Sequence, residues 1–139
     1  MAAIPQKITV EVVTPERRVM TKECDEIVLP GAMGSFGVLP GHAAMLSALQ
    51  PGVAVVRTGN EKSIMAIGGG FAEVLPDRVI VLAETCEKSD EIDVDRAKQS
   101  IAEWERQLQD PTTRADTDID VVRVKILKHT ARISATQWR

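Results

Sequence analysis

Turn signals come so often in the first two thirds of the chain that little except short strands can lie between them. Pro30-Gly31, Pro40-Gly41, Pro51-Gly52, Thr58-Gly59-Asn60 and Pro76-Asp77 can each supply a tight turn, through the fixed φ of proline or the positive φ that glycine and asparagine tolerate. The runs between them are rich in Val, Ile and Leu, and Ile8, Val10 and Val12 alternate with Thr9 and Glu11 before Thr14-Pro15 as a half-buried strand would. Strands are expected near 7–13, 17–21, 24–29, 36–39, 44–49, 53–57, 62–67, 70–75 and 78–84. Many short strands without intervening helices need a second apolar surface to cover each half-buried sheet, so the expectation is two antiparallel sheets packed as a β-sandwich. Its core candidates are Ile8, Val10, Val12, Ile27, Leu29, Val38, Leu46, Leu49, Val53, Val55, Ile64, Ala66, Phe71, Val74, Val79 and Val81.

After residue 87 the period changes. Val94, Ala97, Ile101, Trp104 and Leu108 recur at spacings of three and four, Asp93 stands at the N-cap position, and Asp110-Pro111 ends the helix because a residue before proline is pushed out of the helical region. A polar connector, 112–117, leads to a second segment. There Ile119, Val122, Ile126, His129 and Ile133 fit a helix, while Val122, Val124 and Ile126 also alternate with Arg123 and Lys125 as a strand would. A helix is favoured, because the narrow stripe of the first helix needs cover and a short connector makes an antiparallel hairpin. The chain is thus read as mainly β, with a sandwich over 1–87 and a C-terminal helical hairpin over 88–139.

At 139 residues, 44% hydrophobic and 27% charged, the chain fits one ordinary domain or a small core with an appendage, and its apolar runs are too short to cross a bilayer. The N-terminus, Met1 to Lys7, has neither the apolar core of a secretion signal nor the pattern of a transit peptide, so a cytoplasmic, bacterial-type protein is expected. Cys24 and Cys86 do not form a CxxC motif and are expected as reduced, partly buried side chains. Net charge is −3, but residues 119–139 carry Arg123, Lys125, Lys128, Arg132 and Arg139 against Asp120 alone, a basic tail on an acidic body. Such a tail is either a solvated helix face or a surface for docking on an acidic protein.

Catalytic and ligand motifs are sparse. No GxxxxGK[ST] phosphate loop occurs, and Gly68-Gly69-Gly70 lies between strand runs, where glycines allow close backbone approach or a bulge. Two histidines, His42 and His129, and two scattered cysteines do not make a zinc ligand set, so no metal is expected. Tyrosine is absent and aromatics make up 3% of the chain, too few for a nucleic-acid stacking platform. Three readings remain open on these grounds: a subunit of a larger assembly, a free-standing adaptor that binds through its Pro-Gly loops, and a small hydrolase built around His42.

The segment from Leu29 to Ala43, LPGAMGSFGVLPGHA, continued by Leu49-Gln50-Pro51-Gly52, resembles the signature loop of the epsilon subunit of bacterial F-type ATP synthases. Val13-Thr14-Pro15, Gly69 to Val74 and Ile92 to Ala97 follow in that family's order. The resemblance implies a non-catalytic central-stalk subunit at the cytoplasmic face of the bacterial cell membrane, peripheral and without membrane insertion. Its implied partners are the gamma subunit, the ring of c subunits and the catalytic α and β subunits. It implies a c-ring contact at Met33, Gly34, Ser35 and Phe36, where Ser35 replaces an acid common in relatives while Gly34 and Gly37 keep the frame, and a gamma contact at His42. Some family members bind a regulatory ATP between the helices, and the matching positions here are Glu87, Asp93, Arg96 and Arg132; no cofactor is required. Lys125, Lys128 and Arg132, spaced three and four apart, would share a helix face and meet an acidic segment of a β subunit to restrain ATP hydrolysis.

Overall fold

The computed structural model describes residues 3–114 and 118–138. Residues 115–117 of the expected connector and Arg139 of the basic tail lie outside the described residues. Strands β1 (Ile8–Val13), β2 (Arg18–Cys24), β3 (Glu26–Gly31), β4 (Gly34–Val38), β5 (Met45–Thr58), β6 (Glu61–Val74), β7 (Arg78–Ala83) and β8 (Cys86–Lys88) are followed by a 3-10 turn (Ser89–Glu91). Three helices complete the described chain: α1 (Val94–Gln109), the single turn α2 (Pro111–Arg114) and α3 (Ile119–Gln137).

The strands pair in the order β2-β1-β7-β6-β5-β3-β4, with β8 on β6. The two long strands belong to both layers of the sandwich. Residues 70–74 of β6 pair with β7, whereas 65–67 pair with β8; the β5 residues opposite continue from Met45 to Thr58. Two expected breaks are therefore corrected. Pro51-Gly52 and Gly68-Gly69-Gly70 lie inside strands, where the sheet bends from one layer to the other, and the strands expected at 44–49 and 53–57, and at 62–67 and 70–75, are two strands and not four. Pro51 needs no ladder hydrogen bond there, because the β3–β5 register is interrupted between Val28 and Gly31. Pro30-Gly31 likewise ends β3 instead of forming a turn. The β1–β7 pairing is parallel, which the reading of purely antiparallel sheets did not anticipate.

Between the layers lies one apolar core. Ile8, Val10, Val12, Ile27, Leu29, Val38, Val56, Met65, Ile67, Val74, Val79 and Val81 are fully buried there, joined by Cys24 and Cys86. Leu46 and Phe71, expected in this core, are 77% and 63% exposed. Strand parity is the reason: Phe71 shares its face with Glu73, and the buried face of this stretch belongs to Ala72 and Val74. Val53 and Ile64 are half-buried, and Val55 and Ala66 are buried outside the inter-layer core. In register, Val28 opposes Val55, which opposes Ile64, and Val53 opposes Ala66, so these residues form the outer face of the second layer. Helix α3 packs on that face. The continuous apolar runs Val53–Val56 and Ile64–Ile67 follow from burial on both sides.

α1 starts where expected. The Asp93 carboxylate accepts from the Arg96 amide at 3.0 Å, and Asp110 closes the helix before Pro111. α3 is capped in the same way by Asp118, which accepts from the Asp120 and Val121 amides. Helix is thus the outcome for the ambiguous segment. Its predicted stripe of Ile119, Val122, Ile126, His129 and Ile133 is buried or half-buried, and α1 packs against α3. A second buried line, Ala131 and Ala135, was not foreseen. It arises because α3 is covered twice, by α1 and by the sheet, and the small side chains let helix and strands approach closely.

Candidate functional site

Three surface features concentrate the chemistry of this chain. The first is the tip between β3 and β4. Ala32 and Met33 form a turn closed by Gly34, whose φ of +126° is a conformation that L side chains rarely adopt. Met33 projects entirely into solvent, while Phe36 folds back against the core and fixes the base of the loop. Met33, Gly34, Ser35 and Phe36 line a shallow cavity of about 480 Å³ together with Met45 and Leu46 of β5. The four predicted tip residues are thus brought together at the surface, and Leu46 joins them.

The second feature is the outer face of the first layer. Ala48 stands opposite Phe71, and Phe71 opposite Leu82, which in turn opposes Val13 of β1. Phe71 is 63% and Leu82 56% exposed, and both line a cavity of about 370 Å³ whose other walls are Val13, Thr14, Pro15, Gly70, Ala83 and Glu84. Leu46, diagonal to Phe71 across β5 and β6, connects this face to the tip. Both outer faces of the sandwich are therefore apolar. One is covered by α3, and the other is open. Sequence reasoning missed Phe71, Leu82 and Leu46 as surface residues; the alternation Phe71, Glu73 against Ala72, Val74 was the available signal.

His42, the predicted gamma-facing residue, follows the Pro40-Gly41 turn and is half-buried. Its Nδ1 lies 2.7 Å from the Ala43 carbonyl, which can only accept, so the neutral ring carries its proton on Nδ1. The Gly41 amide donates to Pro76 O at 2.8 Å and ties this turn to the β6–β7 hairpin.

The third feature is a charged seam between α3 and the end of the strand region. Lys128 Nζ lies 3.2 Å from Glu84 Oε2. Arg132 Nε lies 2.7 Å from Glu87 Oε1, close but misaligned for a hydrogen bond, and its Nη2 donates to Glu87 Oε2 at 3.3 Å. Arg132 Nη1 also lies 3.2 Å from His129 Nδ1; a guanidinium only donates, so that nitrogen accepts. Burial, reinforced by the charges of Arg132 and Lys125 and opposed by Glu87, holds His129 below the usual histidine value. Of the four positions matched to nucleotide binding, Glu87 and Arg132 meet, Asp93 is engaged as an N-cap, and Arg96 is exposed on α1. Of the basic trio, Lys128 and Arg132 face the strand region and Lys125 is exposed.

Burial pushes the Cys86 thiol up to about 11 and raises Cys24 as well, which keeps both protonated and unreactive. Among the described residues no cluster of His, Cys, Asp and Glu is arranged to hold a metal ion, and no helix is long and apolar enough to cross a membrane.

The sandwich matches a known class of domain. The family model "ATP synthase, Delta/Epsilon chain, beta-sandwich domain" covers residues 7–89. The chain belongs to this ATP synthase delta/epsilon family. Several curated relatives that it resembles are ATP synthase epsilon chains. It is 41% identical over 128 residues to ATP synthase epsilon chain 2 of Syntrophotalea carbinolica, covering 92% of each chain. It is 46% identical over 104 residues to the epsilon chain of Citrifermentans bemidjiense, covering 75% of each. Among solved structures, a chain of the Euglena gracilis mitochondrial ATP synthase OSCP/F1/c-ring assembly superposes with a TM-score of 0.80 at 23% identity, covering 99% of this chain and 85% of that one. A chain of the Tetrahymena thermophila mitochondrial central stalk and c-ring gives 0.60 at 15% identity, covering 97% of each. At those identities the two structures speak to the fold alone.

Proposed function

We propose that this chain is a non-catalytic coupling subunit of the rotary central stalk. Its open outer face grips the gamma subunit and its β3–β4 tip rests on the c-ring, at the cytoplasmic face of the membrane. The observation that carries this reading is the pair of apolar outer faces, of which α3 covers only one. A soluble chain rarely leaves Leu46, Phe71 and Leu82 together in water unless another protein covers them. The tip continues that surface through Leu46 and presents Met33, a flexible and polarizable side chain able to adapt to a partner's surface. A sandwich held at two surfaces by two rotor parts would move with them and carry torque between them.

The helical hairpin is the regulatory part in this reading. Released from the sheet, α3 would present Lys125, Lys128 and Arg132 to an acidic segment of a catalytic β subunit and restrain wasteful ATP hydrolysis. A regulatory ATP would bind Arg96 and Arg132 by its phosphates, with Glu87 and Asp93 as acceptors, and would have to displace the Arg132–Glu87 pair to do so. Equilibrium titration of the purified chain with ATP, repeated with Arg96→Ala, tests that ligand.

The test of the coupling role is co-purification with the gamma subunit and c-ring. The chain should be retained by both, and Phe71→Asp with Leu82→Asp should lose gamma while remaining folded. A chain indifferent to both partners would support the free-standing adaptor instead.

A further inference from the structure

α3 carries a basic ridge, and the chain supplies its own acidic surface for it. Lys128 and Arg132, one helical turn apart, reach Glu84 just after β7 and Glu87 on β8. The stem of Lys128 crosses Gly68, where its Cε is 3.5 Å from the position a Cβ would occupy, so the bare backbone of β6 lets the helix lie close enough for both pairs. Arg132 is well covered, with 18% of its side chain exposed, and its third contact, to His129, holds the guanidinium on the seam. The apolar part of the helix–sheet contact is made of small or incompletely covered groups. Ala131 and Ala135 are the residues α3 buries on this side, and a cavity of about 330 Å³ remains between Val28, Pro30, Pro51 and Val53 on the sheet and Leu127 and Trp138 on the helix side. Among the described residues, none of α3 belongs to the inter-layer core. A helix seated over a gap leans more on its ion pairs than one that is fully packed.

We propose that Glu84 and Glu87 form an intramolecular acidic clasp for the Lys128–Arg132 ridge, which holds α3 on the sheet and occupies the same cations that an acidic partner surface would use. Docking on the sheet and docking on the partner then exclude one another, and acidic residues of this chain set the balance between them. The partner half of this statement rests on the inhibitory reading above. The clasp itself does not.

The experiment is amide hydrogen exchange on the isolated full chain, followed separately in α3 and in the core strands β1 and β7, at low and high salt. Glu84→Gln with Glu87→Gln should speed exchange in α3 about tenfold, the effect of losing two partly covered ion pairs, and leave β1 and β7 unchanged. Salt should speed α3 in the wild-type chain and have little effect in the double variant. A control pair on α1, Glu103→Gln with Glu105→Gln, should leave α3 as it was. Reversal of one pair, Glu84→Lys with Lys128→Glu, should restore part of the protection lost in Glu84→Lys alone. Unchanged α3 exchange in the Gln variant, or equal acceleration in β1 and β7, would overturn the clasp. Should the clasp hold while the Gln variant inhibits hydrolysis by the assembled enzyme no more than wild type, the inhibitory reading fails and the clasp stands.

Discussion

Phe71 of β6 and Leu82 of β7 stand directly opposite each other on the outer face of the sheet, and both are more than half exposed although their strand neighbours Ala72 and Val81 are fully buried. Replacing both with serine should change stability by no more than about 0.5 kcal/mol each, the usual range for surface positions. Chemical denaturation checks this. A loss of several kcal/mol would mean that the face is covered within the chain itself and would remove the main reason for assigning it to a partner.

Beside them, Gly70 has a φ of +135°, and a Cβ there would lie 2.0 Å from the Leu82 carbonyl oxygen and 2.9 Å from Ala83 Cα. Backbone cannot yield as a side-chain tip can. Gly70→Ala should therefore cost at least ~3 kcal/mol, combining conformational strain with a steric clash. Gly34 has a similar φ of +126°, but a Cβ there would meet nothing within 4 Å, so Gly34→Ala should cost only the strain, about 1–2 kcal/mol. Denaturation midpoints of the two variants separate the effects, and equal losses would contradict the bend assigned to this part of β6.

The seam should respond to pH through His129. Burial is the main cause of its lowered value, with Arg132 and Lys125 adding to it, and detachment of α3 relieves the burial. The docked state therefore disfavours the proton. Its contribution to docking is complete above the ordinary value of 6.5 and declines as pH falls through 6.5 towards the lowered one. Amide exchange in α3, corrected for the intrinsic pH dependence, should be faster at pH 5.5 than at pH 8, and His129→Gln should flatten the difference. A profile that persists in His129→Gln would assign the effect to other groups.

How far the sequence disclosed this molecule depended on how many surfaces each residue meets. α1 was fully legible, because Ala97, Ile101, Trp104 and Leu108 lie on a stripe covered from one side and Asp93 and Asp110-Pro111 mark its ends. α3 was ambiguous because it is sandwiched. Ala131 and Ala135 are buried, yet alanine leaves almost no hydrophobic signal, and Val122, Val124 and Ile126 mimic a strand. Pro51 and Gly68 to Gly70 read as breaks, since proline and glycine usually end strands, whereas here they let two 14-residue strands bend between layers. Leu46 and Phe71 were assigned to the core because hydrophobicity reports a need for cover without saying which molecule provides it. Tip residues Met33 to Phe36 were singled out only by the resemblance of their loop to the family's, while Glu84 of the proposed clasp carried no motif at all.

The most direct test of the rotor grip is coupling in vesicles reconstituted with an ATP synthase depleted of this subunit. Proton pumping per ATP hydrolysed should be restored by the wild-type chain and not by Phe71→Asp with Leu82→Asp, although that variant keeps its fold. Full restoration of pumping by the double variant would contradict the claim that the open face of the sandwich is the grip on the rotor.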